Sequence, residues 1–117
     1  EQTPIELWQN AVEEGEVPES DAYAEQLMRL LTEHGEEVDS VIVQYAVGWK
    51  MNRISHVSRA VLRLAIAEML YMPDIPVLVS LNEGIELSKK YDDEKAYGFV
   101  NGVLNAVAKD PRATERK

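Results

Sequence analysis

Asn82-Glu83-Gly84-Ile85-Glu86-Leu87-Ser88-Lys89-Lys90-Tyr91, followed shortly by Phe99-Val100-Asn101-Gly102-Val103-Leu104, decides the fold. The first segment reads as an amphipathic helix ending in a basic turn. The second reads as a helix that opens on an exposed aromatic ring, with small residues at i, i+4 (Gly98, Gly102, then Ala106). Glycine inside a helix costs about 1 kcal/mol relative to alanine. Two at helical spacing therefore predict a neighbour packed too close for a side chain.

Working outward, the apolar spacing stays helical along nearly the whole chain. Asp92-Asp93 separates a helix over 77–91 from one over 94–108, and Pro73-Asp74-Ile75-Pro76 makes a turn before the first of these. Upstream, Ser58 is a good N-cap for a helix over 59–72. Its centre, Val61-Leu62-Arg63-Leu64-Ala65-Ile66-Ala67, is apolar nearly all round and belongs in the middle of a core. A helix over 36–49 would carry Val38, Ile42, Tyr45, Ala46 and Trp49 on one face. A separate one would start at Ser20, align Tyr23, Leu27, Leu30 and Leu31, and end at His34-Gly35. Thr3-Pro4 would cap a short helix before the Gly15–Pro18 break. No strand-like alternation persists and no repeat is visible, so the fold class is all-α. Residues 1–108 form one helical domain, and 109–117 is a polar, frayed tail.

At 117 residues the chain buries roughly two-thirds of its unfolded surface in one core. It has no run of ~20 apolar residues for a membrane span. Zero cysteines fit a reducing compartment, and the expected location is cytoplasmic. The net charge of −9 is uneven. Residues 1–48 carry twelve acidic side chains against Arg29 alone, whereas residues 49–117 carry eleven basic against nine acidic. An acidic half beside a mildly basic half suits a two-faced adaptor, although a plain solvated acidic surface would look the same.

Arg63 and Glu68 lie in the most apolar helix, where an unpaired charge costs several kcal/mol. Glu83 and Glu86 are the expected partners, giving a structural ion-pair set of Arg63, Glu68, Glu83 and Glu86. The same carboxylates make a poor metal site, because Glu83-x-x-Glu86 lacks the histidine of di-metal bundles. His34, at a helix end, meets the negative pole of its dipole. Nothing groups Ser, His and Asp for nucleophilic catalysis, and no phosphate-binding Gly-rich loop connects a strand to a helix. Neither an enzyme nor a bound cofactor is indicated. Lys89, Lys90 and Tyr91 end one helix while Lys95, Tyr97 and Phe99 begin the next. Such a turn can neutralise phosphates and stack unpaired bases. The same residues could equally complement a helix C-terminus and fill the core.

With Trp49, Arg53-Ile54, Leu62-Arg63-Leu64-Ala65 and Glu68-Met69-Leu70 upstream, the wording from Trp49 to Ala106 resembles the NusB family of bacterial transcription antitermination factors. The resemblance implies a NusB-like helical bundle of two small three-helix subdomains. It implies a factor that binds the boxA element of ribosomal RNA transcripts with the ribosomal protein NusE, within the RNA polymerase antitermination complex. It places Lys89, Lys90, Lys95, Tyr97, Gly98 and Phe99 at the RNA and Ser58 and Arg59 near NusE, and it makes Asn82, Glu83, Glu86, Asn101 and Gly102 signature positions. Three departures stand out. The family's arginine-rich first helix is not in this sequence, so six helices are expected where the family has seven. Gly98 stands where a lysine is common, and Lys95 where an acidic residue is. A bundle short of one helix could self-associate. Two other roles fit the same residues: a protein-interaction module that never touches RNA, and an RNA-binding domain related to those of rRNA cytosine methyltransferases.

Overall fold

In the computed structural model, which describes residues 21–49 and 53–115, five helices follow in order: α1 (Asp21–Tyr45), α2 (His56–Tyr71), α3 (Val77–Tyr91), α4 (Glu94–Ala108) and the single turn α5 (Pro111–Thr114). The expected helix after Thr3-Pro4 lies outside the described residues. No strand occurs among the described residues.

Helix α2 is the axis of the fold. Ala60, Val61, Leu62 and every residue from Leu64 to Met69 are buried, and α1, α3 and α4 pack around it. Each large apolar side chain buried there stabilises by about 1.5–3 kcal/mol. Its N-cap is Ser55, whose Oγ accepts the Ser58 N–H at 3.0 Å. The expected cap, Ser58, is one turn inside, buried, and donates its hydroxyl to Asp92 at 2.7 Å. Ser55 satisfies the N-cap preference; the Ser58 hydroxyl goes instead to a tertiary partner that spacing alone does not reveal.

Helix α1 corrects a larger expectation. It runs without a break through His34-Gly35. Leu27, Val38, Val41 and Ile42 are buried on one continuous stripe, and that packing outweighs the local cost of Gly35. His34 is therefore mid-helix, not at a helix end. Its ring stacks on Tyr71 of α2 with centroids 4.1 Å apart, and Glu33 and Glu37 stand 3.9 and 3.8 Å from its nitrogens. The Tyr71 hydroxyl donates to Glu37 at 2.6 Å, and burial together with that bond pushes its pKa up to about 12.

Glycines mark contact and its absence. A Cβ on Gly84 would stand 2.6 Å from Leu104 Cδ1 and 3.1 Å from Ala65 Cβ, so α3 lies directly against α2 and α4 at this point. At Gly98 and Gly102, where the sequence predicts close packing, a Cβ would meet open space. Residues 109–115 do not fray either. Asp110 caps α5 by accepting the Arg112 N–H at 2.8 Å, and Ala113 is buried. Tyr45 donates its hydroxyl to Asp110, and Arg112 reaches both Asp110 and Gln44 of α1. The Arg112 guanidinium holds the Asp110 carboxyl far below the usual range.

Candidate nucleic-acid interface

Two acidic residues build the turn between α3 and α4. The Asp92 N–H closes α3 on the Ser88 carbonyl at 3.0 Å, and Asp93 caps α4 by accepting the Ala96 N–H at 2.8 Å. Asp92 Oδ2 accepts the hydroxyls of Ser55 and Ser58 at 2.6 and 2.7 Å, which fastens the start of α2 to this turn. Asp93 thus sits at the α4 N-terminus, whose positive dipole end offsets its charge, while Asp92 closes α3 and reaches across to the start of α2.

The cations and rings around this turn fall into two groups. On one side Lys89 stands 5.3 Å above the Tyr97 ring and 3.7 Å from Glu86, while Lys90 lies 5.8 Å from the Tyr91 ring. On the other side Phe99 meets Trp49, with centroids 4.9 Å apart and planes tilted by 43°. Tyr97 and Phe99 are two residues apart, roughly 200° around a helix, and so face opposite ways. Lys95 and Phe99 are four apart and share a face. They line an open cleft of about 180 Å³ with Trp49, Arg53, Ile54 and Asp92. Gly98 is exposed beside them. Aromatic rings with free cations can stack unpaired bases and meet phosphates.

Trp49 and Arg53 are the residues that sequence reasoning assigned no role here. Trp49 was expected on the core face of a helix, but α1 ends at Tyr45 and the indole is 51% exposed. Gly48, at φ +83°, turns the chain after that helix.

The expected partner-facing pair divides as well. Arg59 is half-exposed and contacts His56, whereas the Ser58 side chain is buried in the fold and has no surface to offer. The expected ion-pair set also comes apart. Arg63 makes a two-point pair with Asp39 of α1, Nε to Oδ1 at 2.8 Å and Nη2 to Oδ2 at 3.0 Å. Val61 and Ala65 face Gly84 of α3. Arg63, midway between them, points roughly 200° away from that face and so toward α1, out of reach of Glu83 and Glu86. Glu86 pairs with Lys89 instead. Glu68 is buried and accepts hydroxyls from Tyr23 of α1 and Ser80 of α3, the latter at 2.8 Å. Burial pushes its pKa up to about 7; the Ser80 bond opposes this and the nearby Glu83 charge adds to it. Burial raises Glu83 too. Among the described residues no group of three His, Asp or Glu side chains converges as a metal site, and no helix is long and apolar enough to cross a membrane.

The fold and the site define a small all-α domain with an aromatic and cationic surface at one helix turn. The NusB family model matches residues 1–109. The transcription antitermination protein NusB of Bacillus licheniformis is 46% identical over 107 residues, covering 92% of this chain and 81% of that one. A solved T. maritima NusB superposes with a TM-score of 0.72 at 40% identity, over 76% of this chain and 63% of that one. A solved structure of antitermination factors NusB and NusE in complex with dsRNA gives a TM-score of 0.68 at 37% identity, over 92% of this chain and 81% of that one. This chain belongs to the NusB family.

Proposed function

We propose that this protein is a transcription antitermination factor. It binds boxA RNA of ribosomal RNA transcripts together with NusE and acts in the RNA polymerase antitermination complex. It is an adaptor in the cytoplasm and not an enzyme. The observation that carries this is the likeness, over nearly the whole chain, to the NusB solved with NusE and dsRNA. The local chemistry agrees: Lys95 and Phe99 share one face beside the α3–α4 turn, and Lys89, Lys90 and Tyr97 lie just around it. Arg59, at the start of α2, is the candidate NusE contact of the expected pair.

The test is binding of labelled boxA RNA with and without NusE. Cooperative binding is expected, steeply weakened by salt and by Phe99→Ala or Lys95→Glu. RNA-independent capture of NusE, with no boxA binding under any condition, would leave a protein-only adaptor.

A further inference from the structure

Phe99 does not stand alone: its ring touches an indole that the fold leaves half in water. Trp49 is 51% exposed; its backbone N–H bonds the Ala46 carbonyl at 2.9 Å, but its indole N–H has no partner among the described residues. A tryptophan that serves only as core is largely buried with its N–H satisfied. The two rings, 4.9 Å apart and tilted, are too close to admit a base between them. The free surface is the outer face of the pair. It borders the cleft lined by Arg53 and Lys95, both exposed and without an ion pair among the described residues. The acidic residues there are occupied, Asp92 by two hydroxyls and Asp93 by the α4 N-terminus. The cleft thus offers an aromatic wall and two unengaged cations, and a flexible anionic chain carrying flat rings complements both.

We propose that Trp49 stacks one unpaired base of the bound RNA beside Phe99, with Arg53 joining Lys95 on the flanking phosphates. This rests on the RNA-binding reading above and extends its site to two residues on the segment between α1 and α2.

The test is a cycle between protein and RNA. Binding of boxA RNA, with NusE present, is measured for the unsubstituted chain, Trp49→Ala, Trp49→Phe and Arg53→Ala. A set of RNAs lacking the base at one nucleotide at a time is measured in parallel. Trp49→Ala should weaken binding roughly five- to 150-fold, the range of one stacked base, and leave the salt slope unchanged. One abasic position should cost the unsubstituted chain a similar factor and cost Trp49→Ala almost nothing. Trp49→Phe should retain most of the affinity. Arg53→Ala should instead lower the salt slope by about 1. Equal loss for Trp49→Ala on every abasic RNA, or Trp49→Phe falling as far as Trp49→Ala, would overturn the stacking role. So would unchanged RNA affinity alongside weakened NusE capture, which makes the cleft a protein-docking site. Absence of binding by the unsubstituted chain would sink the RNA reading itself, an outcome distinct from these.

Discussion

Helix α3 joins two unlike regions. Along its middle, Gly84 lies against Ala65 and Leu104 with no room for a methyl group. At its end, Lys89, Lys90 and the Asp92-Asp93 turn lead to a surface where rings and cations remain open to solvent. The seam holds the fold together, and the turn is free to meet a partner because the seam already fixes its position. Substitutions should therefore separate the two: seam changes move stability, and turn changes move binding.

The largest effect belongs to the centre of α2. Ile66 is fully buried, and Ile66→Ala should cost about 2–5 kcal/mol from lost transfer energy and the cavity left behind. Urea unfolding measures it. At temperatures where the variant stays folded, RNA affinity should match that of the unsubstituted chain. A large binding loss there would mean the two regions are not separable.

A pH titration sharpens the contrast within the seam. Glu68 has a folded pKa of about 7 against the usual 4.5. Between those values the folded state binds more protons than the unfolded chain, so this group makes stability fall as pH rises through that window. The penalty is complete above about 7 and absent below 4.5, and amounts to on the order of 1–3 kcal/mol. Tyr23, Ser80 and Glu83 are among the groups facing Glu68. Glu68→Gln should flatten the dependence of unfolding free energy on pH from about 5 to 7. A slope as steep as that of the unsubstituted chain would assign it to other carboxylates.

These two regions were not equally legible in the sequence. Pro76 opens α3, Asp92-Asp93 closes it and opens α4, and the bounds of both helices match the expected 77–91 and 94–108. Gly35 was misleading because a glycine's local cost is small beside a stripe of four buried side chains, and only tertiary packing decides that contest. The Arg63 pairing failed for a related reason. Sequence spacing gives the face of α2 that Arg63 occupies, but not which helix packs on that face. Trp49 was missed because an aromatic residue at helical spacing looks like core until the helix is known to end four residues earlier. Lys95 and Phe99 stood out in the sequence as part of a cation and ring cluster at a helix turn, and only the family wording favoured RNA over core and capping roles for it; the opposite orientation of Tyr97 followed from α4 once its bounds were fixed.

The pair of Arg63 and Asp39 joins α1 to α2 at the edge of the seam, with both side chains about one-third exposed. Solvent screens such a pair, so Arg63→Met should cost about 1 kcal/mol or less despite the two-point geometry. A double-mutant cycle with Asp39→Asn isolates the interaction. Coupling of several kcal/mol would show that the pair is sheltered in solution.

The smallest effect is the sharpest test of the comparison, because one substitution should change sign between the two regions. Alanine is favoured over glycine by up to about 1 kcal/mol inside a helix. At Gly98 the new methyl group meets nothing within 4 Å, so Gly98→Ala should stabilise by about 0.5–1 kcal/mol. At Gly84 the same methyl must displace the Cδ1 of Leu104, a fully buried side chain, and must press on Ala65, whose Cβ moves only with its backbone. Overpacking of this kind costs about 1–3 kcal/mol, more than the propensity gain, so Gly84→Ala should destabilise by about 1 kcal/mol. Thermal melts of both variants decide it. If both were stabilised, Leu104 could yield without loss and the seam would be looser than its distances indicate; if both were destabilised, something covers Gly98 in solution.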